Sequence, residues 1–170
     1  WNDKVVKENG SYVAGRRHGG VEVFYQDGSP HMAGEFLDGK PHGEVTTWHP
    51  GGAGVAVVEQ FDHGVLDGVR VVRAATTGVV LERTRYVGGV RDGRDERWRD
   101  DGTRVFEGRW ARDLPVGRWR HWDPIGRLSR EDLQHILEVK TEESIHELFL
   151  WNKGDFRFLE NILPAKKFQP

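Results

Sequence analysis

Three histidines each stand one residue before a glycine: His18, His42 and His63. Recurring imidazoles are the mark that a row of metal ligands would leave. Their intervals are those of a repeat, however, so each belongs to a different hairpin. Equivalent atoms two strands apart lie about 10 Å apart, too far to share an ion held at about 2 Å, and no metal is expected. Residues 91–130 hold 11 arginines and 8 acids, a net of +3, interleaved with Trp98, Trp110, Trp119 and Trp122. Arginine beside aromatic rings can grip phosphate or a single strand. The interleaved acids oppose a phosphate backbone, so a solvated β face is the plainer reading and nucleic acid is not expected. Carboxylates such as Asp62, Asp67, Glu96 and Asp100 would do acid–base work only in positioned pairs, and the sequence shows no such pairing. There is no cysteine, no Gly-rich phosphate loop, no His-Glu-x-x-His and no Gly-x-Ser-x-Gly. The expectation is a protein that is not an enzyme, with no catalytic residue and no cofactor.

What positions these side chains is a repeat. Tyr86, Gly89, Gly93, Trp98 and Gly102 follow one another at steps of three, four, five and four residues. The same steps fit Tyr12, Gly15, Gly19, Phe24, Gly28, and Phe36, Gly39, Gly43, Trp48, Gly52. They recur at Trp110, Asp113, Gly117, Trp122, Gly126, with Asp113 in place of one glycine. A weaker copy has Phe61, Gly64 and Gly68, then Arg73 where an aromatic belongs and Gly78 one residue late. The leading aromatics are 24 or 25 residues apart, a period typical of arrays built from one supersecondary unit.

Each unit reads as a β-hairpin. Segments 20–28 and 43–52 are rich in Val, Thr and aromatics and end in turn residues. Asp-Gly pairs at 27–28, 38–39, 67–68, 92–93 and 101–102 favour turns. Alternation puts Thr46 with Trp48, Glu96 with Trp98 and Arg120 with Trp122 on one face. Stacked hairpins would align the aromatics into a thin core, because one hairpin cannot bury its apolar face alone. Residues 1–11 read as half of a further repeat, and a chain opening on Trp1 rather than Met reads as part of a longer product.

The frame G-x-x-x-G-x-x-x-x-aromatic-x-x-x-G, with His18–Gly19, His42–Gly43, Gly34–Phe36 and Gly108–Trp110, resembles the MORN repeat. It looks closer to the bacterial, antitoxin-like variant than to the eukaryotic form. The resemblance covers about residues 1–127, with the third copy departing at Arg73 and Gly78. It implies an elongated, single-layer meander of stacked hairpins that serves as a scaffold, and no catalytic residues.

After Gly126 the composition changes: 21 of the 22 glycines lie at or before it. Ser129 with Asp132 looks like a capping box, and Leu133, Ile136 and Leu137 have helical spacing. Thr141 offers a second N-cap, and Ile145, Leu148 and Phe149 a second apolar stripe. The expectation over 128–170 is a small α+β cap of two helices and a short strand through Phe156 and Phe158. Leu148, Phe149, Trp151, Gly154, Phe156 and Phe158 also match the end of the PATAN domain (DUF4388), which the segment resembles over roughly 35 residues. That family's N-terminal strands are missing here. The resemblance implies, for Leu148, Phe149, Trp151, Phe156 and Phe158, either packing against the last hairpin or a partner-binding surface, in a bacterial signalling or polarity complex. Completion of the half-domain by another chain, and hence a homo-oligomer, is a further implication.

The whole chain has 170 residues and a net charge of −2, so no global field draws it to nucleic acid or anionic lipid. It has no apolar run long enough to cross a bilayer and no signal peptide at its start. The absence of cysteine suits a reducing, cytoplasmic setting. Together these give a non-enzymatic scaffold for protein partners as the expected function. An antitoxin-like neutraliser of a partner toxin is the alternative, and a membrane-surface adaptor a lesser one.

Overall fold

A computed structural model describes residues 5–134, which lie in the first of two compact units, Trp1–Ile136 and Leu137–Pro170. The described residues form one antiparallel sheet of twelve strands. In chain order these are β1 (Val5–Val13), β2 (Arg16–Tyr25), β3 (Pro30–Leu37), β4 (Lys40–Trp48), β5 (Val55–Asp62), β6 (Val65–Leu66), β7 (Gly68–Arg73), β8 (Val80–Val87), β9 (Val90–Trp98), β10 (Arg104–Ala111), β11 (Leu114–Trp122) and β12 (Leu128–Gln134). Spatial order follows chain order, except that β6 pairs β5 beside the main path. The sheet is thus a meander, as the repeat predicts.

The repeat steps have a backbone cause. The first glycine of each copy closes a two-residue turn in which both residues have positive φ: Ala14–Gly15, Asp38–Gly39, His63–Gly64 and Gly88–Gly89. In the last copy Arg112 and Asp113 take these places at φ 50° and 62°, a region where aspartate is better tolerated than most residues. Such turns match the right-handed twist of paired strands. The second glycine, four residues on, also has positive φ in every copy (Gly19, Gly43, Gly68, Gly93, Gly117). It stands inside the outgoing strand, where the pairing register slips, between Gly10/Tyr12 and again between Gly34/Glu35. It is therefore a bulge residue. The third glycine (Gly28, Gly102, Gly126) closes a longer turn at the opposite edge. The Asp-Gly pairs at 67–68 and 92–93 are consequently bulges rather than the turns expected.

Both edges are stitched from copy to copy. At the short-turn edge, the amides of Gly39, Gly64, Gly89 and Asp113 donate to the carbonyls of Arg17, Pro41, Leu66 and Arg91 at 2.7–2.9 Å. At the other edge Tyr25 Oη donates to the Trp48 carbonyl (2.9 Å), and Arg99 Nη1 to that of Asp123 (3.1 Å).

Little of the sheet is deeply buried. One apolar cluster joins Val21, Val23 and Phe36, with Met32 against it. A second has Trp119 between Phe106 and Trp110, ring centroids 5.0 and 4.8 Å away. Val21 of the first cluster and Trp119 of the second belong to one row of facing residues across the sheet. It runs Gly10–Val21–Gly34–Val45–Glu59, then Arg70–Thr84–Asp95–Gly108, then Trp119–Asp132. Gly34 leaves room for Val45, since a Cβ there would lie 2.8 Å from its Cγ2; at Gly108 a Cβ would lie 2.6 Å from the Trp119 ring.

The expected helical cap from residue 128 is corrected. Leu128–Gln134 is strand β12, paired antiparallel with β11, and no α-helix occurs among the described residues. Ser129 does not cap a helix. Its Oγ donates to the His121 carbonyl (3.0 Å), and Glu131 accepts from Arg120 Nε (2.7 Å). An open strand edge and cross-strand charges outweigh a weak local capping pattern. The remaining helix and strand expectations of 135–170 lie outside the described residues.

Candidate functional site

Strand alternation gives the sheet two faces. On the face opposite the Val21–Asp95 row, charge is sorted along the array. Toward the N-terminal end, a shallow cleft of about 530 Å³ is lined by Glu22, Glu35 and Glu44 with Asn9 and Ser11. Further along, a cleft of about 710 Å³ is lined by Arg83, Arg85, Arg94 and Arg109, with Asp92, Glu96, Val69 and Val87. The register brings this set together: Val69 pairs Arg85, and Arg94 pairs Arg109. Gly93 makes room, because a Cβ there would meet Arg85 Cδ at 2.7 Å. Arg85 and Arg94 are exposed. Glu96, only 8% exposed at its side chain, has Arg83, Arg104 and Arg94 within 3.6–3.9 Å. Among the described residues, Arg85 and Arg109 have no carboxylate partner.

Beside the cleft runs a charge ladder. Arg104 joins Glu96 to Glu107; Arg120 joins Glu107 (3.0 Å) to Glu131 (2.7 Å); Arg118 closes it at 3.3 Å from Glu131. Hydrogen bonding from Arg120 holds the Glu131 carboxyl below its ordinary range. Arg104 also lies 5.8 Å from the Trp98 centroid and 5.5 Å from that of Trp122, so these two second aromatics serve as arginine platforms.

The other face carries the leading aromatics. Phe36 is buried, Phe61, Tyr86 and Trp110 are half-buried, and Tyr12 is 53% exposed. Arg17 stacks on Phe36 (5.2 Å) and Arg91 on Trp110 (3.6 Å). In the middle of this face the buried row turns polar. Arg70 bonds Glu59 (3.0 Å) and Glu82 (2.6 Å). Asp95, fully buried, accepts from Trp110 Nε1 (2.9 Å), Thr84 Oγ1 (3.2 Å) and Arg97 Nη2 (3.4 Å). These carboxylates were not singled out by the sequence motifs. For Glu59 and Asp95 the repeat position, where earlier copies have Gly (Gly10, Gly34) and Val (Val21, Val45), is the signal that would have found them.

The histidines fall differently from expectation. His18 and His42 share a repeat position, before a second glycine; His63 precedes a first one. Gly43 pairs Phe61, so His42 sits beside Asp62, and the ring centroids of His42 and His63 are 4.7 Å apart, not a hairpin's width. Asp67 Oδ2 accepts from the Gly88 amide at 3.2 Å, a turn-stabilising contact. Asp100 is exposed. Leu148, Phe149, Trp151, Phe156 and Phe158 lie outside the described residues. Among the described residues no helix is long and apolar enough to cross a membrane.

No family model matches the chain, and no curated protein matches it.

Proposed function

We propose that this chain is a non-enzymatic interaction scaffold whose arginine-lined cleft docks an acidic segment of a protein partner. The observation that carries this is the cleft itself: Arg85 and Arg109 open to solvent without carboxylates, beside a Glu96 already shared among three arginines. Guanidinium groups in fixed positions favour planar carboxylates. Asp92 and Glu96 within the same cleft disfavour a continuous phosphate backbone over a mixed peptide surface. The resemblance of the repeat frame to MORN arrays supports the scaffold role. Catalysis has no part in this reading, since the buried Asp95 is fully engaged by its three donors.

A fluorescent polyglutamate peptide, titrated beside an oligothymidylate of equal length, tests the proposal. The peptide binds in low salt, weakens as salt rises, and loses at least about tenfold in affinity in R85E/R109E, roughly 1.4 kcal/mol. Tighter binding of the oligonucleotide, or no binding of either, overturns it. The acidic cleft at Glu22, Glu35 and Glu44 favours a second reading, an antitoxin-like neutraliser of a basic toxin surface. Rescue of growth on co-expression with a neighbouring toxin gene, abolished by E22K/E44K, would support that reading instead.

A further inference from the structure

At the short-turn edge, the second junction between copies, where the Gly64 amide meets the Pro41 carbonyl, gathers donor groups that the arginine cleft does not use. One ligand atom each from His42, Asp62 and His63 lies within 4.8 Å of the others. Strand β4 supplies His42, the end of β5 supplies Asp62, and the turn after β5 supplies His63. The turn is pinned by the Gly64 amide on the Pro41 carbonyl at 2.7 Å, which fixes the three backbones relative to one another.

We infer that His42, Asp62 and His63 form a binding site for a divalent transition-metal ion. A tetrahedral ion with bonds near 2.0–2.1 Å needs donors about 3.3 Å apart, and His42 Nδ1 stands 3.4 Å from Asp62 Oδ1. His63 Nδ1 is 2.5 Å from the same oxygen, a hydrogen bond that gives way to the ion by a turn of the exposed His63 ring that opens this distance to about 3.3 Å. The His63 amide approaches His42 Nδ1 only at 3.5 Å, the limit of a hydrogen bond, so that lone pair is held by little else. Two imidazoles and one carboxylate select zinc, nickel, cobalt or copper over magnesium and calcium. All three groups are partly or largely exposed, which leaves further coordination positions open to water or to a donor from outside. The equivalent place in the first junction offers only His18 and Asp38, 3.8 Å apart, which makes that pair a built-in control.

The test uses the untagged chain. Titration calorimetry with zinc chloride, and the visible spectrum with cobalt chloride, are read for the native chain, H42A, H63A, D62N and H18A. One zinc ion binds at neutral pH, magnesium does not, and H42A, H63A or D62N each weaken zinc at least about tenfold, while H18A changes it less than about twofold. Binding also fades in acid, because the ligands must be deprotonated. Absence of zinc binding, or binding that persists in H42A/H63A, overturns the inference. Circular dichroism on each variant separates loss of a ligand from loss of the fold.

Discussion

Replacing Asp95 by alanine probes the polar segment of the buried row. The carboxylate is fully buried, and its neighbour Thr84 is 1% exposed. Alanine removes the acceptor of Trp110 Nε1 at 2.9 Å and of Thr84 Oγ1 at 3.2 Å. A hydrogen bond to a charged acceptor contributes about 1.5–3 kcal/mol, and a stranded buried polar group costs about 1–3 kcal/mol. Arg97, 49% exposed, can turn to water, so its contribution is discounted. The expected loss is about 3 kcal/mol, a fall in Tm of roughly 10 °C for a domain of this size. Val21 and Val45 occupy the same repeat position, opposite Gly10 and Gly34. The double change T84G/D95V recreates that pair, so it should recover at least about 1 kcal/mol over the sum of its single changes. Urea unfolding followed by tryptophan fluorescence, with the m-value unchanged, measures both. An Asp95→Ala cost under about 1 kcal/mol, or strict additivity in the double variant, would refute the claim that this row is held by mutual polar satisfaction.

Gly108→Ala sets a Cβ against the Trp119 ring at 2.6 Å and should cost about 1–3 kcal/mol by overpacking; thermal melting checks it. Gly39→Ala, at φ 83° in a turn where a Cβ would meet only the Arg16 Cβ at an ordinary 3.7 Å, should cost about 1 kcal/mol from backbone strain, measured the same way. Hydrogen bonding from Arg91 lowers the pKa of Asp113 from 3.8. A depressed carboxylate pKa stabilises the fold above its unfolded value and is lost as pH falls through the folded one. Asp113→Asn should therefore lower stability at neutral pH and flatten the acid limb below about pH 4, the two curves converging in acid where Asp113 is protonated anyway; urea unfolding across pH measures it.

The hairpin array was legible because the aromatic and glycine steps encode backbone geometry directly. Gly15, Gly19 and Gly28 mark a turn, a bulge and a second turn, and each needs positive φ. What stayed hidden depends on register. Nothing local says that Gly68 and Gly93 are bulges inside strands, or that His42 lies beside His63. Those facts follow from which residue pairs which across a slipped ladder. The stretch Ser129–Leu133 reads locally as a helix start, yet β11 presents an unpaired edge with Arg118 and Arg120 facing Glu131, and non-local pairing decides the outcome. The arginine cleft was half legible: the excess over 91–130 was plain, but its assembly from alternate residues of β7 to β10 required the sheet order.

The most direct test of the scaffold reading is photo-crosslinking in source cells from a benzophenone side chain at Val87, which lines the arginine cleft and is 41% exposed. Val13, 55% exposed away from the cleft, is the control. The reading predicts one dominant protein adduct from position 87 and not from 13, and weakening of that purified partner's binding at least about tenfold in R85E/R109E. Identical adduct patterns from both positions, or a partner indifferent to the charge reversal, would contradict it.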